Sequence, residues 1–178
     1  RRSNAKLLKH ETVRQINLEN ATIYFSSGET DRVMKRKCTD LVKENKLDIR
    51  WLGQSRADSS NEEILTRAKT GGCYLIMCGV ESGSQKILDF YNKQITPEQV
   101  KNLFKICKKL DLLTIAEIIF GAPNETLEDA KKTVNLMEII KPDSISICIL
   151  TPYQGTYLYD WLKKNNVRFE KKLEKMDR

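Results

Sequence analysis

Only one histidine occurs in the 178 residues, His10, and it lies in a charged segment ahead of the first apolar run. No Ser/His/Asp constellation is evident, which argues against ordinary acid–base hydrolase chemistry. The phosphate loop GxxxxGK(S/T) and the dinucleotide signature GxGxxG are both missing, so neither phosphate-cradling motif is available. No apolar run approaches the roughly 20 residues of a membrane-spanning helix, and no charged-then-apolar leader opens the chain. A membrane partner is therefore not expected. The five cysteines, Cys38, Cys73, Cys78, Cys107 and Cys148, include no pair at zinc-finger or redox CxxC spacing. An odd number without a secretory leader points to a reducing, cytoplasmic setting. Cys78, Cys107 and Cys148 fall within apolar patterns, where a thiol behaves as a small hydrophobe. No metal site is expected from them. The chain opens on Arg1-Arg2-Ser3 without a methionine and reads as part of something longer.

What is present suits one domain with a single core. Hydrophobic residues make up 40% and charged residues 31%, an ordinary globular balance. The net charge of +7 would suit nucleic acid, but the lysines are spread over helix faces, as in "KNLFKICKKL". A solvated face is the favoured reading. The ending "VRFEKKLEKMDR" places Val167, Phe169, Leu173 and Met176 at near-helical spacing, so 166–178 is expected to be a final helix or a connection after a domain of about 1–165.

Two kinds of segment alternate. Short apolar or β-branched runs cover 21–26, 47–55, 74–80, 113–120 and 144–150. Helix-period stretches lie between them. Residues 96–110 put Val100, Leu103, Phe104, Cys107 and Leu110 on one face, and 126–140 do the same with Leu127, Ala130, Val134, Met137 and Ile140. Thr96-Pro97-Glu98-Gln99 carries the signals of a capped helix start. Ser60-Asn61-Glu62-Glu63 and Thr126-Leu127-Glu128-Asp129 give weaker versions. Pro142 ends the helix before it. Repeated strand–helix units with near-continuous apolar strands predict a parallel sheet covered by helices. An open doubly wound sheet and a barrel both fit, and both place ligands at the carboxyl ends of strands.

Those ends are polar and rich in small residues: Ser26-Ser27-Gly28-Glu29-Thr30, Gln54-Ser55-Arg56-Ala57-Asp58, Glu81-Ser82-Gly83-Ser84, Gly121-Ala122-Pro123-Asn124-Glu125-Thr126 and Thr151-Pro152-Tyr153-Gln154-Gly155-Thr156. Five together point to a polar hollow ringed by loops. Glu81 suits ribose hydroxyls or an ammonium group, or else is a helix N-terminal charge contributing about 0.3–1 kcal/mol. Ser82 or Ser84 suits a helix cap. Arg56 suits bidentate pairing with a ligand carboxylate, or a salt bridge to Asp58 or Glu81. Glu29 suits an amino group, or is a turn residue. Tyr153 suits stacking on a flat ring. With no acid or base in evidence, a cofactor would carry any chemistry.

Taken together, "GGCYLIMCGVESGSQKILDFYNK", "EIIFGAPNETLEDAKKTV" and "ILTPYQGTYLY" resemble the radical S-adenosylmethionine (SAM) enzymes. The resemblance covers about residues 1–165. It is strongest to the branch that often carries a cobalamin-binding domain upstream and to the related methylthiotransferases. It implies an α/β fold, a partial (βα) barrel of TIM type with parallel strands, its first βα unit missing or incomplete. It implies that Ser27 and Glu29 belong to the segment contacting the SAM amino group, that Arg56 lines the site, and that Glu81 and Ser82 contact ribose and methionine. Ile119 and Gly121 would flank the adenine within the family pattern GxIxGxxxE, where Glu117 replaces the first glycine and Glu125 keeps the last residue. Pro152 and Tyr153 would form a turn near the same adenine. "SSGETDRV" is shorter than the corresponding loop of relatives.

One departure dominates. The family holds its 4Fe-4S cluster with CxxxCxxC, which this chain lacks, and thiolates are the required ligands. The expectation is a fragment that begins just after that motif. Its parent would be a radical SAM enzyme using SAM, a 4Fe-4S cluster, a reductant and, where the upstream domain exists, cobalamin. The fragment alone would be inactive, with an exposed sheet edge where the first strand is lost. Two rivals remain at this point: a degenerate barrel serving as a scaffold, and a tRNA methylthiotransferase-like protein. The substrate is not legible.

Overall fold

A computed structural model describes residues 13–17, 22–25, 50–165 and 167. Among the described residues six strands, β1 Val13–Asn17, β2 Thr22–Phe25, β3 Arg50–Ser55, β4 Cys73–Glu81, β5 Leu113–Phe120 and β6 Ser144–Ile149, form one sheet in chain order. From β2 onward every pairing is parallel. The helices are α1 Glu62–Thr70, α2 Gln85–Phe90, α3 Pro97–Lys109, α4 Leu127–Ile140 and α5 Tyr157–Lys164. The architecture is the expected α/β partial barrel. The edge expected to lie open is not bare, because β1 pairs antiparallel with β2, so a local hairpin supplies the neighbour that a crossover would otherwise bring.

The helix starts follow their sequence signals. Thr96 makes a complete capping box with Gln99, with proline in the first turn. Thr126 makes another with Asp129, stronger than its sequence suggested. Asn61 caps α1 by accepting from the Ile64 N–H. Lys141, in the left-handed region at φ 45°, closes α4 ahead of Pro142. One core lies between the sheet and the helices. Trp51, Ile76, Cys78, Val80, Ala116 and Ile118 from the strands meet Leu65, Val100, Leu103, Phe104, Cys107 and Leu136 from the helices. Each large side chain so buried contributes about 1.5–3 kcal/mol. Trp51 also donates its Nε1–H to the Gly71 carbonyl at 2.7 Å, satisfying the polar edge of the indole.

Three expectations need correction. The inward face of α4 is Asp129, Thr133, Leu136, Met137 and Ile140, while Leu127 and Val134 are exposed. Asp129 and Thr133 bond the loop after β4, and that tie rotates the polar side of the first turns inward. β6 reads as a covered strand, yet Ile145, Ile147 and Ile149 are 43%, 62% and 68% exposed, because among the described residues it is the sheet edge. Cys148, expected in the core, is exposed for the same reason.

Candidate functional site at the strand ends

Alternation along a strand decides which side chains face away from the helices. On β5, Thr114, Ala116 and Ile118 are buried beneath helices, so Glu117 and Ile119 take the opposite, concave face. Glu117 is in register with Gly79 on one side and Ser146 on the other. Two residues beyond Gly79, β4 ends irregularly: the register slips between Gly79 and Glu81, so Val80 forms a bulge. Glu81 then takes φ 61°, and the Ser82 N–H closes a three-residue turn onto the Val80 carbonyl at 2.8 Å. A positive φ at a glutamate is strained, and such strain is concentrated at functional sites.

That turn aims the Glu81 carboxylate at Lys93. Lys93 Nζ donates to Glu81 Oε1 at 2.5 Å, and both side chains are largely shielded from solvent. The pair lies directly over Gly79, where an added Cβ would stand 2.5 Å from Glu81 Oε1 and 2.7 Å from Lys93 Nζ. Burial, reinforced by the Glu81 charge and partly offset by Lys93, holds the Glu117 carboxyl above its ordinary value. Tyr91 faces the same charges. Its phenol is pushed up to about 12 by burial first, then by Glu125 and Glu81.

Among the described residues two buried polar atoms have no hydrogen-bond partner, Tyr91 Oη and Glu125 Oε1. The other Glu125 oxygen accepts from the Gly121 N–H at 2.5 Å. Gly121, at φ 96°, turns the chain off the end of β5 in a conformation suited to glycine. Unmatched polar atoms are costly to bury unless something pairs with them. This is the arrangement a polar ligand would complete.

The Ser-Gly-Ser segment has a different duty. Ser82 Oγ shares a hydrogen bond with Thr133 Oγ1 and accepts from the Ser84 N–H. The Gly83 N–H donates to Thr133 Oγ1 at 2.9 Å. Ser84 stands at the start of α2 but makes no side-chain cap. Its hydroxyl donates to Asp129 Oδ1 at 2.7 Å. Ser84, then Thr126, then Lys86 hold the Asp129 carboxyl well below the usual carboxylate range. The helix-capping role read for these serines is therefore replaced by a clamp between the β4 end and α4.

Of the residues singled out in the sequence, Glu81, Ile119 and Gly121 stand at the adjoining ends of β4 and β5. Arg56 makes a bidentate pair with Asp58, Nε to Oδ1 and Nη2 to Oδ2, each at 3.0 Å, and donates to the Lys93 carbonyl at 2.8 Å. Ser82 faces α4. Pro152 is half-buried, and Tyr153 is 61% exposed in the turn that Thr156 closes. Ser27 and Glu29 lie outside the described residues. Lys93 and Tyr91 were missed, because nothing local distinguishes them in "FYNKQIT". Glu117 was noticed only as a replaced glycine.

Cluster ligation does not fit the residues described. Cys73, Cys78 and Cys107 are buried in the core and Cys148 lies on the edge strand. Among the described residues no group of three metal-binding side chains comes together. The chemistry of the groups at these strand ends suits the nucleoside and amino-acid parts of SAM: a charged pair, polar atoms without partners and the apolar Ile119 at the end of β5.

A described uncharacterized methyltransferase of Pyrococcus horikoshii is 34% identical over 142 residues, covering 78% of this chain and 31% of that protein. A tRNA-2-methylthio-N(6)-dimethylallyladenosine synthase of Treponema denticola is 32% identical over 133 residues, covering 73% and 29%. The chain thus spans about a third of the length of these relatives. Among solved structures, the radical SAM methyltransferase TsrM of Kitasatospora setae, with cobalamin and a 4Fe-4S cluster bound, superposes with a TM-score of 0.62 at 18% identity over 79% of this chain and 29% of that one. That likeness speaks to the fold. Residues 8–137 match the model of the radical SAM superfamily, and the chain belongs to that family.

Proposed function

We propose that this chain is the SAM-binding portion of a radical SAM enzyme. The observation that carries the reading is the Glu81–Lys93 ion pair over Gly79, flanked by Glu117. A free amino acid end is a zwitterion, and a shielded Glu–Lys pair can exchange one internal contact for two external ones. Lys93 would take the ligand carboxylate and Glu81 the ammonium or the ribose hydroxyls, both as charge-assisted hydrogen bonds. Ile119 and the Gly121 backbone would flank the adenine, with Pro152 and Tyr153 beyond them. Tyr91 Oη and Glu125 Oε1 offer a donor and an acceptor to the nucleoside. The family resemblance also assigns Ser27 and Glu29 to this set, whereas Ser82 is bonded to Thr133 and Arg56 to Asp58, so neither is given a direct contact with SAM.

The chemistry that SAM supplies in such an enzyme is a 5′-deoxyadenosyl radical, formed by reductive cleavage, which takes hydrogen from a substrate. The residues of this chain bind and orient; none is assigned as acid or base. Cluster ligands, the reductant and any cobalamin belong to parts of the protein other than these residues. A cytoplasmic setting accords with buried thiols, and among the described residues no helix is long and apolar enough to cross a membrane. Reaction outcome follows the relatives: methyl transfer is the first reading. Methylthiolation of tRNA is the second, favoured by the charge of +7.

Calorimetric titration with SAM tests the core of this reading. Saturable binding is expected, weakened at least about tenfold by Lys93→Met, the loss of one charge-assisted hydrogen bond. Absence of binding by a folded wild-type chain would favour a non-catalytic scaffold. Salt-dependent binding of tRNA would favour the second outcome.

A further inference from the structure

The loop that presents Lys93 is unusual. Asn92 and Gln94 on either side of it sit in the left-handed region, at φ 50° and 55°. Neither is glycine, so each is held there by its surroundings. On the α2 side, the Asn92 and Lys93 N–H groups donate to the Asp89 and Leu88 carbonyls at 2.9 and 3.0 Å. On the β3 side, Arg56 Nη2 donates to the Lys93 carbonyl at 2.8 Å. The guanidinium is itself fixed by both oxygens of Asp58, whose carboxyl the Arg56 hydrogen bond holds below its ordinary value. The residue whose Nζ meets Glu81 is therefore tied through its own backbone to the end of a different strand.

We propose that Arg56 is a positioning residue: it sets where Lys93 Nζ stands and affects the ligand carboxylate only through Lys93. This rests on reading Lys93 as the carboxylate partner. It differs from direct bidentate pairing of Arg56 with the ligand, because the Nε/Nη2 edge of the guanidinium already holds Asp58. An arginine suits the task since its planar fork can hold Asp58 and the carbonyl at once, whereas a lysine ammonium has no fixed fork.

The test compares two probes, SAM and 5′-methylthioadenosine, which keeps the nucleoside but has no carboxylate. Arg56→Ala is expected to weaken SAM by about tenfold and to leave 5′-methylthioadenosine unchanged. Arg56→Lys should fall between. In a Lys93→Met background, Arg56→Ala should add nothing. Equal weakening of both probes, or a full additional loss in the Lys93→Met background, would overturn the proposal. A second readout needs no ligand: the Glu117 carboxyl, followed by carbon NMR, should titrate higher in Arg56→Ala because Lys93 has moved away. An unchanged Glu117 titration overturns the positioning role. A raised Glu117 titration in a chain whose wild type does not bind SAM leaves the positioning intact and overturns the methionine subsite instead.

Discussion

Lys93 Nζ donates to Glu81 Oε1 at 2.5 Å, joining a loop to a strand end twelve residues earlier. The contact neutralises a carboxylate that would otherwise face Glu117, whose own carboxyl already feels the Glu81 charge.

Lys93→Met should therefore destabilise the domain by about 1–3 kcal/mol, the range for leaving a shielded polar partner unpaired. Adding Glu81→Gln in the same chain should recover part of that loss, since the unpaired charge is then gone. Urea unfolding of the two variants measures both changes. A double variant no more stable than the single would show that the pair does not act as a unit.

Two glycines near the site should respond differently to alanine. At Gly79 the new methyl meets only the ends of two flexible side chains, Glu81 and Lys93. Stability should move by no more than about 1 kcal/mol, while the ion pair is displaced and SAM affinity falls. At Gly83 the methyl meets the backbone of Lys132 and Thr133, which cannot step aside. Gly83→Ala should cost about 2–3 kcal/mol through overpacking. Thermal melts with and without SAM distinguish the two patterns.

The pH dependence carries two opposite signs. Asp129 has a lowered folded value, so the folded state binds fewer protons than the unfolded one through the acid range. Its contribution is present above the ordinary carboxylate value and is lost as pH falls toward the folded value. Glu117 is raised, so its ionisation opposes folding as pH rises through and above the ordinary glutamate range. Asp129→Asn should flatten the acid limb of a melting-temperature profile. Glu117→Gln should raise stability at neutral pH, with the gain fading under acid conditions where both states are protonated.

The exposed outer row of β6, Ile145, Ile147 and Ile149, makes a fourth kind of prediction. Ile147→Thr keeps β-branching and should change stability by no more than about 0.5 kcal/mol. It should also slow aggregation, because an apolar edge strand invites strand pairing between molecules. Light scattering during thermal ramps reads the second effect.

Much of the architecture was legible before any coordinates. The alternation of β-branched runs with 3.6-period stretches, the Thr96 and Thr126 caps and the polar strand ends are all local patterns, and local patterns survive folding. Glu81 was singled out because a carboxylate closing a buried strand is conspicuous in one dimension. Lys93 was not, because its importance comes from a loop geometry with left-handed residues on both sides and a partner twelve residues away. Arg56 was noticed, but which of its candidate partners it takes depends on Asp58 and on the Lys93 carbonyl, 37 residues along the chain. The rotation of α4 escaped for a related reason: apolar periodicity names the most hydrophobic face, while Thr133 and Asp129 are drawn in by hydrogen bonds from another segment.

By itself the chain determined the parallel strands, the helices between them and their order, though not β1, since propensity, periodicity and capping act over a few residues. Only the tertiary structure decided which polar groups stay at the strand ends and which are spent on packing. That choice depends on strand register, on the bulge at Val80 that turns Glu81 toward Lys93, and on which buried polar atoms find partners within the fold.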